Sequence, residues 1–223
     1  MKQGATEVFQ HSIKADYPIQ IKFLSGKGNI NVNTDSNLTL NSDVITKKGE
    51  VNLFSKNGFI EQTGGTITTD KLKMEAYNGI GSNKAITQQM VSDKGLLSAI
   101  TKSGNINLIS LNNAGLKSAD LLFTATTDKG NVNVIADASL LKGGNAIDVK
   151  GSRIDLVSNY GSIGKFSDNE LLNIFAGQVI ANPGDTLSAS VNTNAYGDIG
   201  LNQVSGNMRI GRIESQTDRK SVV

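Results

Sequence analysis

The chain of 223 residues contains no cysteine and no tryptophan, a single histidine and two prolines, and only 5% of it is aromatic. Without cysteine there is no disulfide scaffold, thiolate nucleophile, CxxC redox site or cysteine-ligated zinc, and the lone His11 forbids a His-His metal pair. Most metallohydrolase chemistry is excluded with them. The lack of cysteine assigns no compartment, because exported chains that cross an envelope unfolded also avoid it. Charge of one sign is missing too: Lys+Arg number 22 against Asp+Glu 20, a net charge of +2. That gives no basic field of the kind that binds a phosphate backbone, so nucleic acid is not an expected partner. No apolar run approaches the roughly 20 residues of a membrane span. No apolar core follows Met1–Glu7, so no signal peptide is visible if Met1 is a true start.

What the chain does contain is glycine, 24 residues, with very frequent Asn, Ser and Thr and an apolar content of 38%. Disordered sequence favours proline and net charge instead, so this composition reads as a folded chain. The last six residues, 218–223, depart from everything before them, and one codon choice for them, GAT CGG AAG AGC GTC GTG, is the string expected from reading through a common short-read adapter. They are expected to be a non-native tail on a piece of a larger protein.

A repeat runs through the rest. Gly28-Asn29-Ile30-Asn31-Val32 returns as Gly104-Asn105-Ile106-Asn107-Leu108 and Gly130-Asn131-Val132-Asn133-Val134, with a weaker copy at Gly49-Glu50-Val51-Asn52-Leu53. A second block, Tyr77-Asn78-Gly79-Ile80-Gly81, returns as Tyr160-Gly161-Ser162-Ile163-Gly164 and Tyr196-Gly197-Asp198-Ile199-Gly200. Matching two long copies gives an offset that drifts from 76 (Ile30 to Ile106) to 83 (Ile80 to Ile163), which implies loop insertions between rungs. Inside each copy lies a finer period, 21 from Gly28 to Gly49 and 26 from Gly104 to Gly130, the length of one solenoid turn.

Period-two alternation marks the strands. The pairs Ile30/Val32, Leu38/Leu40, Val51/Leu53, Leu72/Met74, Ile106/Leu108, Val132/Val134, Ile147/Val149, Ile154/Leu156 and Met208/Ile210 each place two aliphatics on one face. Strands this short bury a core only if coils stack, so that equivalent side chains form ladders along an axis. Repeated turn asparagines then add amide hydrogen bonds at the corners. The expected fold is all-β, a right-handed parallel β-helix of about ten coils at about 22 residues each. It spans residues 21–217, after an irregular or partial first coil at 1–20. Asp168–Phe175 fits either one or two helical turns behind an Asp cap or a strand after a short loop. The competing architecture is a tandem of immunoglobulin-like sandwiches, for which the sub-repeat has no use.

The Gly-Asn-Ile-Asn-Val rungs, the Tyr-Gly-Asp-Ile-Gly turns and the run Leu187–Leu201 resemble the central repeats of filamentous-haemagglutinin-like exoproteins, over roughly residues 20–215. The resemblance implies a structural shaft segment of a large bacterial adhesin of the two-partner-secretion or autotransporter type, secreted or held at the cell surface. It further implies an outer-membrane secretion partner, and a host-cell or extracellular-matrix receptor engaged by other parts of the parent. It transfers no binding site. An isolated segment, with two open ends, is expected to self-associate.

β-Helices also include polysaccharide lyases and glycoside hydrolases, which need converging carboxylates or a carboxylate beside Arg or Lys. The nearest approach is Asp148 and Asp155 with Lys150 and Arg153, read here as outward charges that aid solubility. Gly143-Gly144-Asn145-Ala146-Ile147-Asp148 departs from the calcium-binding Gly-Gly-x-Gly-x-Asp nonapeptide at the third glycine and occurs once. Gly79-Ile80-Gly81 precedes no helix that would receive a phosphate. Tyr77, Tyr160 and Tyr196 read as a stacked corner column, with a sugar-binding stripe as the alternative, and His11 as a surface residue. No catalytic residue, metal ligand or cofactor is assigned, and the chain is expected not to be an enzyme.

Overall fold

The computed structural model describes residues 10–112, 119–166, 170–177, 190–217 and 220–222. In chain order the first three turns are β1 (Gln10–Ala15), β2 (Ile19–Ile21) and β3 (Leu24–Gly26); β4 (Asn29–Thr34), β5 (Leu38–Leu40) and β6 (Val44–Thr46); β7 (Glu50–Ser55), β8 (Ile60–Gln62) and β9 (Ile67–Thr68). The middle turns use fewer, longer strands: β10 (Lys71–Ala76), β11 (Ile86–Gln89), β12 (Lys94–Thr101), β13 (Ile106–Leu111), β14 (Asp120–Thr127) and β15 (Val132–Ala136). There follow β16 (Ser139–Lys142), β17 (Val149–Gly151), β18 (Arg153–Ser158), β19 (Leu172–Ala176), β20 (Ser190–Ala195), β21 (Ile199–Gln203), β22 (Ile210–Ser215) and β23 (Lys220–Val222). Among the described residues there is no helix, and Asp168–Phe175 enters a strand at Leu172, its residues 168 and 169 lying outside the description.

The strands stack into a parallel β-solenoid. One sheet runs β1-β4-β7-β10-β12-β14-β17-β19-β21-β23 with β16 beside β14; a second runs β3-β6-β9-β11-β13-β15-β18-β20-β22; a short third is β2-β5-β8. Among the described residues neighbouring strands pair in parallel, which rules out an immunoglobulin-like sandwich, and the one antiparallel contact among them is the bridge Lys165↔Glu170. About eight turns are completed rather than ten, because the turns lengthen. The step is 21 residues from Ile30 to Val51 and from Val51 to Leu72, then 25 from Leu72 to Leu97 and 26 from Leu97 to Phe123.

Alternation makes the core. In β4 and β7 the even-numbered and odd-numbered aliphatics respectively point inward, so register stacks Ile30, Val51, Leu72, Leu97 and Phe123 into one ladder. All are at most 1% exposed. A second ladder passes from Leu38 through Ile60, Ile80, Ile106, Val132 and Ile154 to Val191. This ladder carries the change of cross-section. Ile80 is all that remains of the third sheet in its turn, and above it the first half of β13 continues that column while Leu108–Leu111 continues the second sheet beside β11. Three short sides become two longer ones without a break in the interior.

Seven of the nine expected aliphatic pairs lie inside. Ile147 is instead half-buried in the loop before β17, and Met208 and Ile210 reach the end of the stack, where Ile210 is 52% exposed. Residues 10–15 form β1, paired to β4. Residues 220–222 extend the first sheet beside β21.

The long sequence repeat is not a structural repeat. Gly28–Val32 leads into the first sheet, whereas Gly104–Leu108 and Gly130–Val134 lead into the second. Adjacent copies, 104 and 130, do stack. The block therefore specifies a corner followed by an inward-outward strand, wherever a corner falls.

Candidate functional site

Two kinds of polar device hold the corners. Turn asparagines accept a backbone N–H from the next turn, as Asn29 from Glu50 (3.1 Å), Asn105 from Asn131 (3.0 Å) and Asn131 from Arg153 (3.2 Å). Side-chain amide ladders lie on the strands rather than at the corners: Asn52 donates to Asn31 (2.9 Å), Asn133 to Asn107 (2.7 Å) and Asn202 to Asn173 (2.9 Å). A second device, which no repeated block of the sequence marks, is a buried hydroxyl at the end of a strand. Thr34, Ser55, Thr101 and Thr127 donate to the carbonyls of Tyr17, Ser36, Tyr77 and Gly104 at 2.6–3.0 Å. Its signal is a Ser or Thr closing the alternating run, as in NINVNT and SAIT.

The charged constellation does not assemble. Asp148 is fully buried, which overturns its reading as an outward charge. It sits where a loop between β16 and β17 rejoins the first sheet, and its carboxylate accepts N–H groups from Gly143 and Asn173, each at 3.0 Å. Burial pushes its carboxyl above the ordinary value, against the pull of those N–H groups. Asp155 lies on β18 in the other sheet, held by Arg153 at 2.7 Å and by the Asn192 amide at 2.6 Å. Lys150 turns to Asp128, 2.6 Å away. Three separate contacts replace the cluster, and an inaccessible carboxylate has no route to an external substrate.

Glu61, 6% exposed, is a second buried acid. It accepts the N–H groups of Ser82 at 2.9 Å and Asn83 at 3.3 Å, so it pins the loop between Ile80 and β11. Both buried carboxylates thus answer the same local need, backbone donors left without strand partners where a loop leaves the stack. On the surface, burial raises and the Lys73 ammonium at 3.1 Å and the Asn52 amide lower the Glu50 carboxyl, which ends below its ordinary value.

The tyrosines fall at two corners. Tyr160 and Tyr196, 60% and 52% exposed, occupy one corner on neighbouring turns, linked through Tyr196 N–H to Ser158 O at 3.0 Å and Gly197 N–H to Gly161 O at 2.8 Å. Tyr77 is at a different corner, with the Lys102 ammonium 5.8 Å from its ring centre. The three form no common stripe. The backbone of His11 belongs to β1, opposite Ile30.

An open groove of about 770 Å³ lies where the first sheet turns into the second, with Asp128, Lys150, Phe175, Ser152 and Asn207 among its walls. Lys150 covers Phe175, its ammonium 5.9 Å from the ring centre, while its charge is taken by Asp128. No group of three or more His, Cys, Asp or Glu side chains among the described residues converges to hold a metal ion. No helix among them is long and apolar enough to cross a membrane, which does not bear on a β-barrel. No protein-family model, curated protein or solved structure matches the chain.

Proposed function

We propose that this chain is a shaft segment of a large secreted or surface-anchored bacterial adhesin of the filamentous-haemagglutinin-like kind, a rigid spacer that carries a distal binding region. The observation behind this reading is the unbroken interior. The ladder from Leu38 to Val191 passes through the change of cross-section without a gap, so each turn is braced by the next. At about eight turns, the stack is on the order of 40 Å long. Sequence likeness to exoprotein rungs supplies the adhesin context, and with it export through an outer-membrane partner and contact with a host receptor elsewhere in the parent.

The burial of Asp148 and the turning of Lys150 to Asp128, both away from the Arg153–Asp155 pair in the other sheet, favour this reading over a polysaccharide lyase or glycoside hydrolase. The test has two arms. Small-angle scattering should give an elongated particle whose length matches the stack, and acidic polysaccharides incubated with the chain, with and without calcium, should yield no unsaturated or reducing product. Product formation overturns the spacer role.

A further inference from the structure

The two large sheets differ in what they present to solvent. Outward positions of the first sheet carry charge turn after turn, with Glu50, Lys73, Glu75, Lys94, Asp120 and Lys150 among them. Outward positions of the second sheet from β9 to β20 carry Thr, Gln, Asn and aliphatic side chains, and among the described residues their one carboxylate, Asp155, is neutralised by Arg153. Along the middle of this face register stacks Ile109, Ile135 and Val157 into an outward aliphatic ladder, with Ile135 44% exposed. Beside it runs the row Asn107, Asn133, Asp155 and Asn192, fixed by side-chain hydrogen bonds of 2.7 Å (Asn133 to Asn107) and 2.6 Å (Asn192 to Asp155).

We propose that this face is a lateral docking surface for a second copy of the same chain, so that two solenoids pack side by side through their second sheets. Charge and period both select this occupant. Pairing through the first sheet would strip water from row after row of charged side chains, whereas the second sheet between β9 and β20 brings only the Arg153–Asp155 pair into the interface. Its side-chain rows repeat about every 4.8 Å, so rows of one copy seat between rows of another only if the partner has the same spacing. β15 is the middle strand of the five levels β11, β13, β15, β18 and β20. In a two-fold, isologous arrangement Ile135 therefore faces its own counterpart. These levels offer about 500 Å² per copy, about 1,000 Å² in total, the lower edge of what a specific interface buries. The pairing is accordingly weak for one segment and grows with the number of turns, as suits shafts that bundle.

The test is sedimentation velocity of the full chain over about a hundredfold range of concentration, with scattering on the associated species. Lateral pairs double the cross-section and keep the length; end-to-end pairing through the open edges of β1 and β22 doubles the length. Lateral pairs are expected. Ile135→Lys should weaken association tenfold or more, while Ile100→Lys, an equally exposed site on the first sheet, leaves it unchanged. Because the chain has no cysteine, Ile135→Cys supplies a second readout that needs no charged variant to fold: oxidation should cross-link it into dimers much faster than Ile100→Cys. A chain monomeric at every concentration, pairs that only lengthen, or equal behaviour of the two sites overturns the proposal. A monomeric rod would leave the spacer reading intact, whereas a cleaved polysaccharide would remove that reading and not the pairing.

Discussion

Placing one carboxylate on either side of a single strand tests the inward-outward assignment directly. Val132 is fully buried between Ile106 and Ile154, and Ile135, three residues on, points outward from the same strand. Val132→Asp removes the burial of a valine, worth about 2 kcal/mol, and leaves a carboxyl group among aliphatics with no partner. Its folded-state pKa rises above the unfolded value of about 3.9, so between the two values the folded state holds the proton that the unfolded state releases. Stability of the variant therefore falls as pH rises, by up to about 1.4 kcal/mol per unit, until the folded pKa is passed. The deficit should be about 3 kcal/mol near pH 4 and 5 kcal/mol or more at pH 7, a large part of the stability of an ordinary domain. Ile135→Asp should stay within about 1 kcal/mol of the parent at both. Urea melts of parent and both variants at the two pH values measure this. Equal deficits for the two sites, or a Val132→Asp deficit that does not change with pH, would refute the stacking of Val132 inside the column.

Asp148→Asn removes an acid whose pKa is raised from 3.8 by burial, so its stability relative to the parent should improve as pH rises from that value through the raised one, after a pH-independent loss of about 1 kcal/mol from one N–H left without its acceptor; urea midpoints at pH 4 and 8 give both quantities. Gly104 has φ +84° and a Cβ there would lie 2.0 Å from the Asn78 carbonyl oxygen, whereas Gly144, at φ +89°, has no atom within 4 Å of that position. Gly104→Ala should thus cost about 3 kcal/mol or more and Gly144→Ala only the backbone strain of about 1 kcal/mol, read as a difference in thermal midpoint. Thr101→Val keeps the branched shape but removes the hydroxyl that reaches the carbonyls of Tyr77 (3.0 Å) and Ser103 (2.8 Å); a loss of about 1–2 kcal/mol is expected, with faster amide exchange at that corner.

The architecture was legible because it rests on period two. Each rung such as Asn29-Ile30-Asn31-Val32 declares its own inside and outside, and neighbouring copies 21 or 26 residues apart declare the stacking. What was not legible depends on where the chain leaves the ladder. Asp148 reads as one more surface charge beside Lys150, and only the loop that rejoins the sheet at Val149 turns it inward, where backbone donors of Gly143 and Asn173 need an acceptor. Glu61, in a strand whose three residues are all buried, is hidden for the same reason. Met208 and Ile210 alternate correctly yet lie at the end of the stack, with Ile210 half exposed. Periodicity reports what a strand would bury if another turn covered it, not whether one does.

The drift in the long repeat has the same origin and explains how such a column tolerates irregular turns. Tyr77–Gly81 closes a strand of the first sheet, while Tyr160–Gly164 and Tyr196–Gly200 close strands of the second, yet all three place an isoleucine, Ile80, Ile163 or Ile199, fully inside. Ile80 bridges Ile60 to Ile106, and Ile163 bridges Leu140 to Ile199, so each block supplies one rung to whichever column lies at that corner. A loop that follows, 81–85 after Ile80 or 143–148 after β16, adds residues outside the stack, and one buried carboxylate satisfies its free N–H groups. Length can therefore vary from 21 residues per turn, Ile30 to Val51, to 37, Ile154 to Val191, without moving the next rung along the axis. Selection acting on such a chain has only to keep corners and rungs, which is why short blocks recur while the spacing between them wanders.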